Sequence, residues 1–208
     1  GVVQVDTVQV DTTVYSYPAV ASGSGGFRLG AEWSANDFIV GAALIHLRDG
    51  TAVPFGTPFD SALEPLAVDD ASGVETYFSV PVVLQGLRLE GAYSRWSDVG
   101  SRPYLPVEAG RVALVLHDLY YDGQFEPTLR VEGVRRGSTI VPDVDGNTFT
   151  ASSPAYNILN LLVQIRIQDV QAYIGWQNVL NNVQAVDLPG LHPRFPRMMY
   201  GVSWDFHN

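Results

Sequence analysis

The sequence predicts an all-β protein, an antiparallel up-and-down transmembrane β-barrel of about ten strands. Three observations support this fold class. Segments that alternate aliphatic or aromatic residues with polar ones recur along the chain, as in half-buried strands. These segments run to about 9 to 14 residues, which suits a tilted membrane-spanning strand better than the usual five or six. The connections between them alternate short and long, as in outer-membrane barrels and unlike a Greek-key sandwich.

The composition agrees with this fold class and excludes several others. Only 16% of the 208 residues are charged and 11% are aromatic, and no apolar run approaches the length of a spanning helix. A net charge of −10 without a basic patch argues against nucleic acid as a partner. The absence of cysteine excludes a disulfide framework and a cysteine-ligated metal site. No signal-peptide pattern opens the sequence, so we expect a mature protein or a piece of a longer one.

We treat residues 1–208 as a single β-barrel domain or a barrel fragment. Residues 1–11 are predicted to be an extended lead-in or an edge strand, because their five-residue repeat would flip the phase of a strand. A first strand is predicted at 12–20, and alternation then predicts one at 27–34 and an apolar one at 38–47. The remaining strands are predicted at 74–83, 87–94, 111–117, 129–134, 159–168, 170–177 and 197–206.

The predicted connections sort by length. Asp122-Gly123 is a strong hairpin signal, and it marks one of the short turns. The short connections are at 35–37, 84–86, 121–124 and 168–169. The long connections are at 48–73, 98–108, 137–153 and 178–196. Short periplasmic turns and long external loops would give this order, and they would leave the C-terminus on the periplasmic side.

Charged residues occur inside the predicted strands, on the face opposite the aliphatic residues. In a barrel this face lines a wet lumen and sets selectivity, whereas in a sandwich it is simply exposed to solvent. The lumen-lining candidates are Arg28, Glu32, Arg88, Glu90, Arg111, Arg130, Glu132, Gln164 and Arg166. In the closing strand, the membrane-facing candidates are Tyr200, Val202, Trp204 and Phe206. An interfacial aromatic girdle would comprise Trp33, Trp96, Trp176, Trp204, Tyr120, Tyr121, Tyr200 and Phe206.

We expect no catalytic site, no metal site and no cofactor. The four histidines lie in four separate segments, without the spacing of metal ligands. Asp143–Asn147 begins like a calcium-binding loop, but Thr148 and Pro154 stand where such a loop needs Gly and Glu. This segment is better interpreted as a turn in an acidic external loop.

The C-terminal part of the chain, residues 152–206, resembles bacterial outer-membrane β-barrels, particularly TonB-dependent receptors and plugless porins of similar barrel type. The segment Tyr173–Asn181 is similar to the close of their penultimate strand, and the Pro/Gly-rich stretch 188–197 is similar to the loop that follows. Tyr200–Phe206 resembles their closing strand, although His207 and Asn208 follow it here. The receptor barrels have about 22 strands and a plug, so this chain corresponds either to the C-terminal portion of a larger barrel or to a small barrel of its own.

The resemblance implies a location in the Gram-negative outer membrane and a role in transport. It implies membrane lipid as a partner, the barrel-insertion machinery as a partner of the closing strand, and an energising periplasmic protein if a plug lies upstream. The hypothesis is therefore the barrel portion of a TonB-dependent uptake receptor, with a passive porin-type channel as the alternative. A soluble β-sandwich binding module is the alternative from another class.

Overall fold

The computed structural model describes residues 21–22, 25–35, 37–52, 66–82, 84, 86–97, 102–141, 150–186 and 195–204. All regular structure in these ranges is β-structure. The strands are β1 (Ala21–Ser22), β2 (Gly26–Ala35), β3 (Phe38–Leu47), β4 (Gly50–Ala52), β5 (Leu66–Val68), β6 (Ala71–Pro81), β7 (Leu87–Ser97), β8 (Glu108–His117), β9 (Phe125–Arg136), β10 (Thr139–Val141), β11 (Ala151–Ser153), β12 (Tyr156–Ile167), β13 (Val170–Gln177) and β14 (Arg197–Trp204).

Nine of these strands form one large antiparallel sheet, here called the main sheet. Its order is β14-β13-β12-β9-β8-β7-β6-β3-β2, so each long strand pairs with the long strands before and after it in the chain. This is an up-and-down meander, as the sequence predicts. The strands have 8 to 12 residues, and ten residues at about 3.3 Å each, tilted by about 40°, project to about 25 Å.

The main sheet is open within the described residues, since β2 and β14 each have one partner strand there. The predicted lead-in at 1–11 and the predicted first strand at 12–20 lie outside the described part of the chain. The structure therefore establishes an all-β meander of nine long strands. Closure into a barrel of about ten strands stays a prediction.

The long and short connections emerge at opposite ends of the main sheet. The short-turn end, where β2 ends and β3 begins, includes the turns at 121–124 and 168–169. Tyr121, Asp122 and Gly123 there have φ angles of 54°, 56° and 84°, so the predicted Asp-Gly turn is confirmed. The other end, where β3 ends and β6 begins, is called the long-connection end.

Two of the predicted long loops contain strands of their own. Within 48–73, β4 pairs with both β1 and β5, and within 137–153, β10 pairs with β11. The prediction of uninterrupted loops was therefore wrong for these two segments. Strands of three residues are too short to show a period-two pattern, so the sequence could not reveal them.

Little of the described chain is buried in the way of a soluble core. The core cluster comprises Tyr156, Ile158 and Ala185, with Val134 packed against it. It lies at the long-connection end, and no second sheet covers the main sheet in the ranges that the structure describes. None of the described residues belongs to a helix long and apolar enough to cross a membrane.

Candidate functional site

The register of the main sheet places all nine predicted lumen-lining residues on one face, here called the polar face. Row by row, Glu90 on β7 lies opposite Ala113 on β8, which lies opposite Glu132 on β9. Arg88, Val115 and Arg130 form the adjoining row. The same register carries Arg28, Glu32, Arg111, Gln164 and Arg166 to this side. Whether this face lines a lumen is a separate proposal.

The opposite side, here called the apolar face, exposes large hydrophobic side chains. Leu29 is 68% exposed and Trp33 is 60% exposed on β2. On β14, Tyr200, Val202 and Trp204 are 75%, 60% and 53% exposed, while Phe206 lies outside the described residues. A continuous exposed apolar surface of this extent marks contact with lipid or with another protein.

Charged residues on the apolar face are confined to one end. Among the described strand residues they are Arg95, Glu108 and Arg135, all close to the long-connection end. Arg135 Nε donates to Glu108 Oε1 over 2.6 Å. The apolar face thus combines a broad uncharged band with a narrow charged margin, as expected where a strand passes from lipid to the polar interface.

The predicted aromatic girdle is only partly placed on this face. Trp33 and Trp204 lie on the apolar face near the short-turn end, and Trp176 lies on it near the long-connection end. The suggestion was wrong for Trp96, which the register puts on the polar face opposite Gly73. A Cβ on Gly73 would come within 2.7 Å of the Trp96 ring, so the ring occupies the space above this glycine.

Some polar contacts on the polar face reach across an intervening strand at a point where that strand carries a small residue. Arg28 Nε on β2 donates to Glu75 Oε2 on β6 over 3.2 Å, above Ala43 of β3. The Tyr77 hydroxyl on β6 donates to the carboxylate of Glu32 on β2 in the same manner. Long side chains thus link β2 to β6 across β3, and small residues on β3 leave the room for them.

The central part of the polar face holds an ion-pair cluster around Arg130. Its guanidinium contacts Glu90 at 2.8 Å and Glu132 at 2.7 Å, and the first contact passes above Ala113, which is 2% exposed. The three charged side chains are 14%, 29% and 16% exposed. Asn160 donates to the second oxygen of Glu132 over 3.3 Å. Two partly buried carboxylates therefore share one guanidinium.

A second cluster lies nearer the short-turn end. Glu126 pairs with Arg166 and lies 3.5 Å from His117 Nε2. Arg88 donates to the Ser79 hydroxyl over 2.9 Å and to the Asp37 carbonyl over 2.7 Å. Glu75 and Glu126 were not among the predicted lumen-lining residues, although both occupy polar positions that the alternation could have revealed.

Arg111 differs from the other predicted positions. Its two adjacent positions on the neighbouring strands are Ala92 and Val134, neither of which offers an acceptor side chain. The side chain is exposed and has no hydrogen bond or ion pair with a described residue. Gln164 lies between Thr128 and Tyr173 in its own row.

Two connections at the long-connection end are tied to each other by a buried arginine. Arg102 is 7% exposed, and it donates to the Asp69 carbonyl over 2.9 Å and to the Arg48 carbonyl. Burial lowers the pKa of Arg102 from its ordinary value, and Asp70, Asp49 and Asp69 oppose this shift. The arginine therefore joins two connections that are far apart in sequence.

Asn178 organises the segment that follows β13. Its side chain is 1% exposed, its Oδ1 accepts from the Asn182 amide over 2.9 Å, and its Nδ2 donates to the Asn182 carbonyl over 3.2 Å. This turn brings Ala185 onto Tyr156 and Ile158 on the polar face. The connection thus folds back over one edge of the polar face instead of extending away from the sheet.

We predict that Asn178→Ala opens this segment without unfolding the sheet. The variant loses two hydrogen bonds and keeps an unfavourable φ of 50°, which together cost about 1–2 kcal/mol locally. Amide exchange at 179–186 should accelerate, while exchange in β12 should be unchanged. Asn181→Ala is the control, because Asn181 has a φ of 51° but is exposed. Equal acceleration in both variants would contradict the role of the Asn178 side chain.

A second prediction concerns the packing of Tyr77 above Gly41. A Cβ on Gly41 would overlap the Tyr77 ring, so Gly41→Ala should displace the ring from Glu32 and cost about 1–2 kcal/mol of unfolding free energy. Gly133→Ala is the matched control, since its nearest neighbour would be Val112 at 3.8 Å. Urea titrations of both variants, repeated in a Tyr77→Ala background, test the account. A cost of Gly41→Ala that persists without Tyr77 would contradict it.

Within the described ranges no three His, Cys, Asp or Glu side chains are grouped so as to hold a metal ion. The main sheet has two chemically different faces. One face presents ordered charges and hydrogen-bonding groups, and the other presents apolar groups to its surroundings. Such a sheet can separate a polar compartment from an apolar one.

Comparisons with known proteins support the fold. No family model and no curated protein matches the chain. Among solved structures, the chain is similar to a mutant of the ferric enterobactin receptor from Pseudomonas aeruginosa, with a TM-score of 0.55 and 15% sequence identity. The match covers 76% of this chain and 26% of the receptor, so the chain spans about a quarter of that protein's length. At this identity the likeness supports the all-β meander alone.

Proposed function

We propose that this chain is part of an outer-membrane β-barrel that moves a solute across the membrane, as the C-terminal barrel portion of a TonB-dependent receptor-like uptake protein. The observation that carries the proposal is the division of the main sheet into an exposed apolar face and a charged polar face. Leu29 and Trp33 exemplify the first face, and the Arg130 cluster exemplifies the second. Only a lipid environment stabilises this arrangement without a second layer of protein.

Two further observations support the uptake role. The end of the chain resembles the closing strands of TonB-dependent receptors, and the fold is similar to that of a ferric enterobactin receptor. In this proposal the two edge strands, β2 and β14, pair with further strands to close the barrel, because unpaired strand edges are not tolerated in lipid. The nine lumen-lining candidates then face the solute path.

The proposed partners follow from the same arrangement. Lipid contacts the apolar face, including Tyr200, Val202 and Trp204, and the barrel-insertion machinery binds the closing strand with Phe206 near its end. An energising periplasmic protein is a partner if a plug lies upstream of the chain. The chain is proposed to lack catalytic activity and to need no cofactor, and nucleic acid is not among its partners.

A passive porin-type channel is the second candidate. It is favoured by the exposure of charged side chains such as Arg28 and Arg111 on the polar face, with no described segment packed on them. A soluble β-sandwich module is less compatible with the structure, because no second sheet covers the apolar face in the described ranges.

The membrane proposal is tested by folding the full chain into detergent micelles and phospholipid vesicles. We expect a heat-modifiable shift on gel electrophoresis and co-flotation with the vesicles. A chain that stays monodisperse in plain buffer and shows no such shift would contradict the proposal. Solute efflux from the loaded vesicles separates the two candidates: a leak without any partner protein indicates a passive channel, and its absence favours the receptor.

A further inference from the structure

A shallow groove crosses the apolar face where its uncharged band meets the charged margin. The groove has a volume of about 410 Å³, within the roughly 300–1,000 Å³ of small-ligand sites. Two adjoining rows of the apolar face line it. The row nearer the long-connection end includes Tyr93, Gly110 and Arg135, and the row nearer the middle of the sheet includes Val112 and Gly133. The other face contributes backbone to the lining, since its side chains point away.

Two glycines keep the floor of this groove open. A Cβ on Gly133 would have no neighbour nearer than Val112 Cγ1 at 3.8 Å, so no described side chain fills the space above it. The Tyr93 ring bounds the groove at Gly110, where an added Cβ would lie 3.1 Å from the ring. Towards the middle of the sheet the next row includes Leu114. The groove therefore opens into the uncharged band along the strand direction.

The charged margin beside the groove carries one positive charge in excess, because two arginines, Arg95 and Arg135, face one carboxylate, Glu108. Both oxygens of Glu108 are occupied, one by Arg135 Nε at 2.6 Å and the other by the Tyr93 hydroxyl at 2.9 Å. Arg95 lies opposite Glu108 in the register, is exposed, and has no hydrogen bond or ion pair with a described residue. The side chain of Arg135 is 53% exposed, and its contacts with described residues leave Nη2 unused.

We propose that the groove binds one anionic phospholipid, with its phosphate in reach of Arg95 and of Nη2 of Arg135, and with an acyl chain above Gly110 and Gly133. The inference rests on the proposed function, because it requires the apolar face to lie in lipid. Charge complementarity selects this occupant: a positive margin attracts an anionic headgroup, guanidinium groups match phosphate oxygens, and a hydrocarbon chain fits an apolar groove. A lipid without net charge gains less from the same margin.

The affinity of the full chain for single lipids tests the charge of the site. With the chain folded in neutral detergent, native mass spectrometry should give a dissociation constant about fivefold lower for dioleoyl phosphatidylglycerol than for dioleoyl phosphatidylcholine. Arg95→Gln should remove most of this preference and Arg95→Lys should retain it. Glu108→Gln should increase it, because the competing negative charge is lost. Arg111→Gln, which removes an arginine from the polar face of β8, is the control. An unchanged preference in Arg95→Gln would overturn the proposal.

A second variant tests the groove without changing any charge. Gly133→Leu places a side chain in the open space and should weaken phosphatidylglycerol binding by about threefold or more. Ala172→Leu is the matched control, because it adds the same bulk to an exposed position of the apolar face on β13. Binding that is equal in Gly133→Leu and the wild type would overturn the groove as the lipid site. Displacement of the lipid by inorganic phosphate would also overturn it, since a free anion would then suffice.

Insertion is measured separately in vesicles of phosphatidylcholine alone, so that the two proposals fail in different ways. A wild-type chain that co-floats with these vesicles but binds both lipids equally would overturn the anionic lipid site and leave the membrane proposal standing. A chain that does not insert into the vesicles would overturn both. Insertion together with a phosphatidylglycerol preference that depends on Arg95 and on the open space above Gly133 is the result we expect.

Discussion

Leu114→Arg is expected to destabilise the chain in vesicles by about 2–4 kcal/mol. Leu114 lies near the middle of β8 on the apolar face and is 42% exposed. Its row comprises Leu89, Val131 and Leu161, so no polar group is near enough to solvate an inserted charge. In lipid the guanidinium would face hydrocarbon, and the cost of that transfer falls on the folded state. Reversible urea unfolding in vesicles, followed by tryptophan fluorescence, gives the value.

The same substitution distinguishes a Leu114 that faces lipid from a Leu114 that is exposed to water. Gln164→Arg is the matched control, because it places the same cation on the polar face of β12, and it should change the unfolding free energy by less than about 0.5 kcal/mol. In plain water an exposed leucine on a sheet surface can be replaced by arginine at little cost. Equal, small effects of the two substitutions would therefore contradict a lipid-facing Leu114.

Arg130→Met is expected to cost about 2–3 kcal/mol of unfolding free energy. The variant removes the cation that neutralises Glu90 and Glu132, which are 29% and 16% exposed. The two carboxylates then lie in one row with only Ala113 between them. Breaking a buried ion pair typically costs 3–5 kcal/mol, and partial exposure of these groups reduces that figure. The unfolding free energy should be measured by titration with urea at low salt, without guanidinium chloride.

The cause of this loss can be separated from simple loss of packing. Arg130→Met in a Glu90→Gln and Glu132→Gln background removes the uncompensated charges but keeps the shape of the cluster. We expect the triple variant to recover at least half of the stability lost by Arg130→Met. A triple variant as unstable as Arg130→Met alone would show that the charges of Glu90 and Glu132 are not responsible.

Strand positions were predictable because a half-exposed strand has a strict period of two. β13 begins and ends where the alternation places it, and the polar assignment of Arg88, Glu90, Arg130 and Glu132 follows from the same period. Alternation cannot reveal which face contacts lipid, since it is the same for a sandwich and a barrel. The proposal of a lipid-facing surface rests instead on the exposure of the apolar face, together with the absence of a described covering sheet.

The contacts within the polar face were not predictable, and the reason is geometric. Arg28 meets Glu75 and Tyr77 meets Glu32 across β3, so each contact depends on the register of three strands at once. The small residues Gly41 and Ala43 that permit these contacts give no signal of their own in the sequence. The turn around Asn178 was missed likewise, because its hydrogen bonds arise from a left-handed conformation that the residue type alone does not dictate.

Fluorescence quenching by brominated lipids tests most directly whether the apolar face lies in the membrane. The four tryptophans allow single-tryptophan variants, with phenylalanine at the other three positions. Trp33 and Trp204 lie on the apolar face and Trp96 lies on the polar face. We expect strong quenching of Trp33 and Trp204 by brominated acyl chains, with Trp96 quenched mainly by aqueous acrylamide. Equal quenching of Trp33 and Trp96, or no quenching of Trp33 by lipid, would contradict this expectation.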